Sequence, residues 1–281
     1  MGATLVLGGT PSAVQRGTPK AALVTVVADA AGPVRDLAAK DFVVTEDNQK
    51  REVVNAEIAR DPLAIALLVD TSLPPMGVTP PVQDLRTALS TFVKTIQNGS
   101  LGAKIALAEF AGASVPKTGF DDRQEDLAAA IARLYPNQQP HAVLIEALVD
   151  AAKRLGEQPP PRRAIVSVDF NTQEASADRT MKDAAEAVHK AGATLWSVSV
   201  RGTAPSPDNR EEVLNKITKA NGGLRLTPVS ASGLEPNLKI VAFSLLSQYT
   251  VTFMRPDGAN PKTTKFETTR GAKVQLTPWM R

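Results

Sequence analysis

Leu63-Ala64-Ile65-Ala66-Leu67-Leu68-Val69-Asp70-Thr71-Ser72 is the stretch that decides the fold. An unbroken apolar run leads straight into an acid and two hydroxyls. A strand apolar on both faces is one that helices cover from both sides, as in a parallel sheet. Asp70 and Ser72 then fall at the carboxyl edge of that sheet, where open α/β folds bind their ligands. Leu73, Pro74 and Pro75 follow, so a proline stands where a metal-binding loop would place another hydroxyl.

Outward from this strand, residues 62–229 alternate apolar strands with amphipathic helices. Ala64–Val69, Ile105–Phe110, Ile165–Val168, Thr194–Val200 and Leu224–Thr227 read as strands. Between them, apolar residues recur at helical spacing: Val82, Leu85, Leu89, Phe92, Val93 and Ile96 form one stripe, and Val143, Leu144, Ala147, Leu148, Ala151 and Leu155 another. Shorter stripes run through Leu127 to Leu134, Met181 to Val188 and Val213 to Ile217. Asp122 with Glu125, and Ser232 with Glu235, have the spacing of capping boxes. Only Ala111-Gly112-Ala113 separates Phe110 from the next extended stretch. A turn that short cannot cross over, which predicts a hairpin and one antiparallel edge strand.

The flanks have period two. Leu23–Ala28, Phe42–Thr45 and Arg51–Ile58 read as strands before the α/β unit, with a turn at Asp47-Asn48. A helix over 232–247 leads into further strands, Tyr249–Met254, Thr263–Thr268 and Val274–Thr277. Neither flank has enough strands to bury a core alone. The expected division is therefore 1–20 as a leader-like or disordered segment, 21–60 plus 248–281 as one small β-domain, and 61–247 as an inserted α/β domain.

Of the 281 residues, 43% are hydrophobic and only 4% aromatic, so the core is built from Ala, Val, Leu and Ile. A net charge of +3 with scattered basic residues gives no electrostatic footprint for nucleic acid. The chain has no cysteine, which excludes disulfides and thiolate metal sites. No apolar run approaches the length of a transmembrane helix. Ala3–Leu7 followed by Gly8, Gly9 and Pro11 has the look of the end of a secretory leader, or equally of a loose terminus. Zinc-protease, hydrolase-elbow and Walker patterns are absent.

The α/β unit resembles a von Willebrand factor type A domain. The residues that carry the resemblance are the strand ending Leu67-Leu68-Val69-Asp70-Thr71-Ser72, a long helix, the hairpin Lys104–Phe120 and the strand Arg163–Phe170. The whole chain looks like a bacterial family in which such a domain follows an Asp-Phe-x-Val-x-Glu-Asp segment, here Asp41–Asp47, and precedes a Gln-Tyr-x-x-x-Phe strand, here Gln248–Phe253. The resemblance implies a doubly wound, mostly parallel, Rossmann-like sheet with a small flanking β-sandwich-like domain from both termini.

It also implies a metal-ion-dependent adhesion site with the pattern Asp-x-Ser-x-Ser, a Thr on a second loop and an Asp on a third. Asp70 and Ser72 match. Pro74 replaces the second Ser, the loop 136–142 has no Thr or Ser, and Phe170 stands where the third-loop Asp belongs. Asp169 is one residue early, which on a strand is expected to turn its side chain to the other face. The candidate metal ligands are thus Asp70, Ser72 and Asp169, holding Mg2+ weakly or no cofactor at all, because Mg2+ demands near-octahedral oxygen coordination.

The expected function is a non-enzymatic, extracytoplasmic adhesion or protein-binding module with a degenerate metal site. Its partner would be a protein or extended polymer, with no nucleic acid and no membrane-spanning segment. Leu73, Pro74, Met76, His141, Asn171 and Thr172 are the candidate contact residues around the crevice above Asp70. Two alternatives stand beside this reading. One is a working cation-dependent adhesion domain. The other is a phosphotransferase of the haloacid-dehalogenase kind with Asp70 as nucleophile, although Ser72 replaces the second carboxylate that such chemistry uses.

Overall fold

The computed structural model describes residues 17–28, 32–73, 82–159, 162–170, 172–201 and 210–280. The first flank contains β1 (Gly17–Ala28), β2 (Gly32–Pro33), β3 (Phe42–Glu46), β4 (Gln49–Arg51) and β5 (Val53–Ile58). The α/β unit opens with β6 (Leu63–Asp70), α1 (Val82–Gly99), β7 (Lys104–Phe110), β8 (Ser114–Pro116) and α2 (Gln124–Ala132). It continues with β9 (His141–Ala142), α3 (Leu144–Gly156), β10 (Arg162–Asp169), β11 (Gln173–Glu174) and α4 (Met181–Lys190). It closes with β12 (Ala193–Ser199), α5 (Arg210–Asn221), β13 (Arg225–Leu226) and α6 (Leu234–Leu246), and the second flank is β14 (Tyr249–Pro256), β15 (Thr264–Thr268) and β16 (Lys273–Met280).

The central sheet has the order β13-β12-β10-β6-β7-β8. All its neighbours are parallel except β7 and β8, which form the expected antiparallel hairpin. β6 shows why the fold is doubly wound. Its alternate residues Leu63, Ile65, Leu67 and Val69 pack in a core with α1, α2 and α6. Ala64, Ala66 and Leu68 pack on the opposite face with α3, α4 and α5. Every residue of the strand is buried, so the unbroken apolar run is what a two-sided cover requires.

Strands from both flanks pair with each other. β1 lies between β14 and β16, antiparallel to both, and β14 also pairs β5. β15, β3 and β4 form a second, three-stranded sheet. Ala22, Val24, Val26, Tyr249, Val251 and Phe253 from the first sheet meet Phe42, Val44 and Phe266 from the second in one core. Glu46, fully buried, joins the two sheets by pairing with Arg51 at 3.0 Å and with Arg255 at 2.5 Å.

Arg162 fastens the flanking sheets to the α/β unit. Its guanidinium donates to the carbonyls of Ala59 (3.1 Å) and Asp61 (3.0 Å) before β6, to that of Leu245 in the last turn of α6, and to the Gln248 side chain (3.4 Å) just before β14. Burial pushes this guanidinium down to about 10. After α5, Gly222 allows a close approach to β16 and Gly223 a close approach to β12. A Cβ on Gly222 would lie 1.7 Å from the Leu276 carbonyl oxygen, and one on Gly223 1.5 Å from that of Leu195.

Three local expectations differ. β1 begins at Gly17, inside the stretch read as leader-like. Asp122 does not cap α2; its carboxylate accepts from the Gly119 amide at 2.8 Å, and the helix begins after Arg123. Ser232 does not cap α6, because a 3-10 turn over 231–233 precedes that helix and Ser232 hydrogen-bonds Ser230 instead. Thr180 and Asp183 do form a side-chain capping box, at the start of α4.

Candidate functional site

Asp70 ends β6, and the chain turns there into the first loop of the carboxyl edge. Its carboxylate is 1% exposed and filled by donors of the chain itself. Oδ1 accepts from the Ser72 amide at 2.9 Å and the Ser72 hydroxyl at 2.5 Å. Oδ2 accepts from the Thr172 hydroxyl at 2.7 Å and from Arg210 Nη1 at 3.3 Å. Ser72 and Thr172, both expected at the crevice, are therefore bonded to Asp70 and buried with it.

Arg210 opens α5 and is 3% exposed. Nη1 also donates to Thr172 Oγ1 at 2.9 Å. Nη2 donates to the carbonyls of Ala142 (3.3 Å) and Gln173 (3.4 Å) and to Glu174 Oε2 at 3.2 Å. One guanidinium thus ties the loops after β6, before α3 and after β10 together. The planar fork of donors suits this task in a way that a lysine ammonium does not. Glu174 has a second role: its carboxylate accepts from the Leu144 amide at 3.2 Å and the Ile145 amide at 3.4 Å, at the amino end of α3 where negative charge is favoured.

Asp169 corrects an expectation. Parallel register pairs Val168 with Val69, so the next residues, Asp169 and Asp70, project to the same face of the sheet. Phe170 takes the opposite side, in the core under α1 and α6. Asp169 nevertheless does not join the Asp70 cluster by a hydrogen bond. It accepts from Ser199 at 2.8 Å and Ser197 at 3.5 Å on β12. Burial raises its pKa to about 6, against the lowering pull of Arg210 and the Ser199 bond, with the Asp70 charge raising it further.

The residues do not fit the divalent cation that the Asp-x-Ser motif implies. Asp70 Oδ2 and Thr172 Oγ1 bond each other directly, and Arg210 Nη1 lies against both, its charge repelling a cation that approaches them. Among the described residues no cluster of three or more histidines and carboxylates is arranged for a metal.

The rim is apolar and aromatic. Leu73 is 37% exposed and Tyr135 74%. The loops that carry them are bonded through Asn137 N to Thr71 O at 2.5 Å and Leu73 N to Gln139 O at 2.8 Å. Pro136, Leu134, Val82 and Leu85 line a shallow apolar depression beside Asp70 and Tyr135. His141 is half-buried, and its backbone pairs with Gln173 in the short β9–β11 bridge. Pro74, Met76 and Asn171 lie outside the described residues.

Sequence reasoning missed Arg210 and Tyr135. For Arg210 one signal existed: a cation at a helix start, where the dipole favours an acid, needs another reason to be there.

No family model and no curated protein sequence matches the chain. Solved structures do resemble it in fold. Proximal thread matrix protein 1 from the mussel byssus superimposes with TM-score 0.53 and 15% identity, over 76% of this chain and 50% of its own. A von Willebrand factor type A protein from Catenulispora acidiphila gives 0.51 and 14%, over 94% of this chain and 66% of its own. The PilB minor pilin from Streptococcus sanguinis gives 0.51 and 11%, over 67% and 62%. The chain spans about half the length of the byssus protein. At these identities the likeness is one of fold, and with the sheet order, the hairpin and the place of Asp70 it gives this chain a von Willebrand factor type A fold.

Proposed function

We propose that this chain is a non-enzymatic protein-binding module whose adhesion-type site works without a metal. The carrying observation is that Asp70 is buried and holds four donors from its own chain. A carboxylate so occupied has no direction left for a bridging cation, and none for nucleophilic attack on a phosphate. Contact with a partner then falls to the exposed Leu73 and Tyr135, together with the other residues read as contacts from the sequence, Pro74, Met76, His141 and Asn171. An exposed tyrosine beside an apolar depression is the kind of feature on which binding energy concentrates.

The proposal extends to organisation and setting. Residues 21–60 and 248–281 act as one small domain carrying the binding unit, supported by the pairing of β1 with β14 and β16. An extracytoplasmic setting matches two fold neighbours named for a byssus thread and a pilus. No described helix is long and apolar enough to cross a membrane.

The test is capture of protein partners on the immobilised chain, with and without EDTA, by wild type and by Leu73→Ala with Tyr135→Ala. Bands retained in EDTA and lost from the double variant are expected. Bands lost in EDTA and kept by the variant would overturn the reading.

A further inference from the structure

We propose that Arg210 is a tethered replacement for a divalent cation, and that the cage around its guanidinium becomes a site for Mg2+ or Mn2+ once that side chain is removed. The inference rests on the metal-independent reading of the site given above. It begins from what surrounds the guanidinium. Asp70 Oδ2, Thr172 Oγ1, Ala142 O, Gln173 O and Glu174 Oε2 all lie between 2.9 and 3.4 Å from its two terminal nitrogens. The acceptors are two carboxylates, a hydroxyl and two carbonyls, all hard oxygens. Such a set is what Mg2+ and Mn2+ select, with water completing the octahedron.

Charge and burial point the same way. The side chains of Arg210, Asp70 and Glu174 are 3%, 0% and 12% exposed. Asp70 is buried and Glu174 largely so, and both bond the one guanidinium, which supplies the positive charge that carboxylates withdrawn from water need beside them. Arg210 supplies one that is tethered to the chain and cannot dissociate. Its own helix does not favour it there, because the amino end of α5 carries a partial positive charge. The acids across the crevice, not the helix, therefore hold the guanidinium in place. Deleting it leaves two negative charges, a hydroxyl and room for water. Thr172 and Glu174 follow β10, so the cage shares Asp70 with the motif but takes its other side-chain oxygens from different residues.

The experiment is calorimetric titration of the full chain with MnCl2 and with MgCl2 after EDTA dialysis, paired with melting curves in the same buffers. Wild type is expected to show no saturable binding and no shift in melting temperature. Arg210→Ala is expected to acquire one saturable site and a melting temperature that rises with metal, and adding Asp70→Asn should abolish both. Arg210→Lys, which keeps a cation in the cage, should bind no metal. If Arg210→Ala is unfolded in EDTA, recovery of its native circular dichroism on adding Mn2+ supports the proposal. Failure to recover overturns it, as does a folded Arg210→Ala chain that binds no metal. Those failures leave chelator-insensitive partner capture standing. Saturable binding by wild type removes both readings.

Discussion

Arg210 and Asp70, 140 residues apart in the chain, meet inside the molecule with Nη1 3.3 Å from Oδ2. The pair joins the carboxyl edge of β6 to the start of α5. It sets what this edge of the sheet can do, because a guanidinium that fills the crevice both neutralises Asp70 and fixes the loops around it.

Breaking that pair from one side leaves an uncompensated buried carboxylate. Arg210→Ala should lose about 3–5 kcal/mol of stability without divalent metal, the cost typical of a buried ion pair stripped of one partner. Adding Asp70→Asn should return part of that loss, because the remaining group is then neutral. Urea unfolding of the two single variants and the double variant measures the coupling. Additive losses would show that the two side chains do not interact.

Asp169 should make stability depend on pH. Its folded value, about 6, is above its ordinary 3.8, so the folded state holds the proton more tightly. The burden of ionising it is absent below the ordinary value, grows as pH rises through the window between the two, and is complete above about 6. A shift of this size corresponds to about 3 kcal/mol. Asp169→Asn removes the burden while keeping an oxygen for the Ser199 hydroxyl. The variant should therefore gain on wild type as pH rises from 4 to 7, read by denaturant unfolding at each pH. A constant difference across that range would contradict the burial of an ionising group at Asp169.

Arg162 should couple the flanking sheets to the α/β unit. Arg162→Met removes the donor from the carbonyls of Ala59, Asp61 and Leu245 together. Each buried acceptor left unpaired costs about 1–3 kcal/mol. Hydrogen exchange should show lost protection at the Ala59 amide, which bonds the Gln248 carbonyl at 2.7 Å. Unchanged protection there would mean that the Ala59 and Gln248 segments are held together by other contacts.

Much of this was legible in the sequence. The two-sided apolar run of β6, the short turn after Phe110 and the period-two flanks each follow from local pattern and appear as strands in the structure. The sequence pattern puts Asp70, Ser72 and Thr172 at strand ends on one edge of the sheet, and in the structure Ser72 and Thr172 both hydrogen-bond Asp70. What escaped depends on register and on distant partners. Spacing alone points Asp169 away from Asp70, whereas the register of β10 with β6 puts both on one face. Arg210 was invisible because its partners lie on three other loops. The two misplaced capping boxes show the same limit: the spacing was right, but a tight turn before α6 and the Gly119 amide before α2 drew the side chains elsewhere.

The central claim is that a guanidinium occupies the cation's place beside Asp70. A crystal of the full-length chain grown in millimolar MnCl2, with anomalous data collected at the manganese edge, tests it most directly. The account predicts Arg210 density between Asp70, Thr172 and Glu174 and no manganese peak within bonding distance of Asp70. A manganese peak there, with Arg210 turned out to solvent, would contradict it.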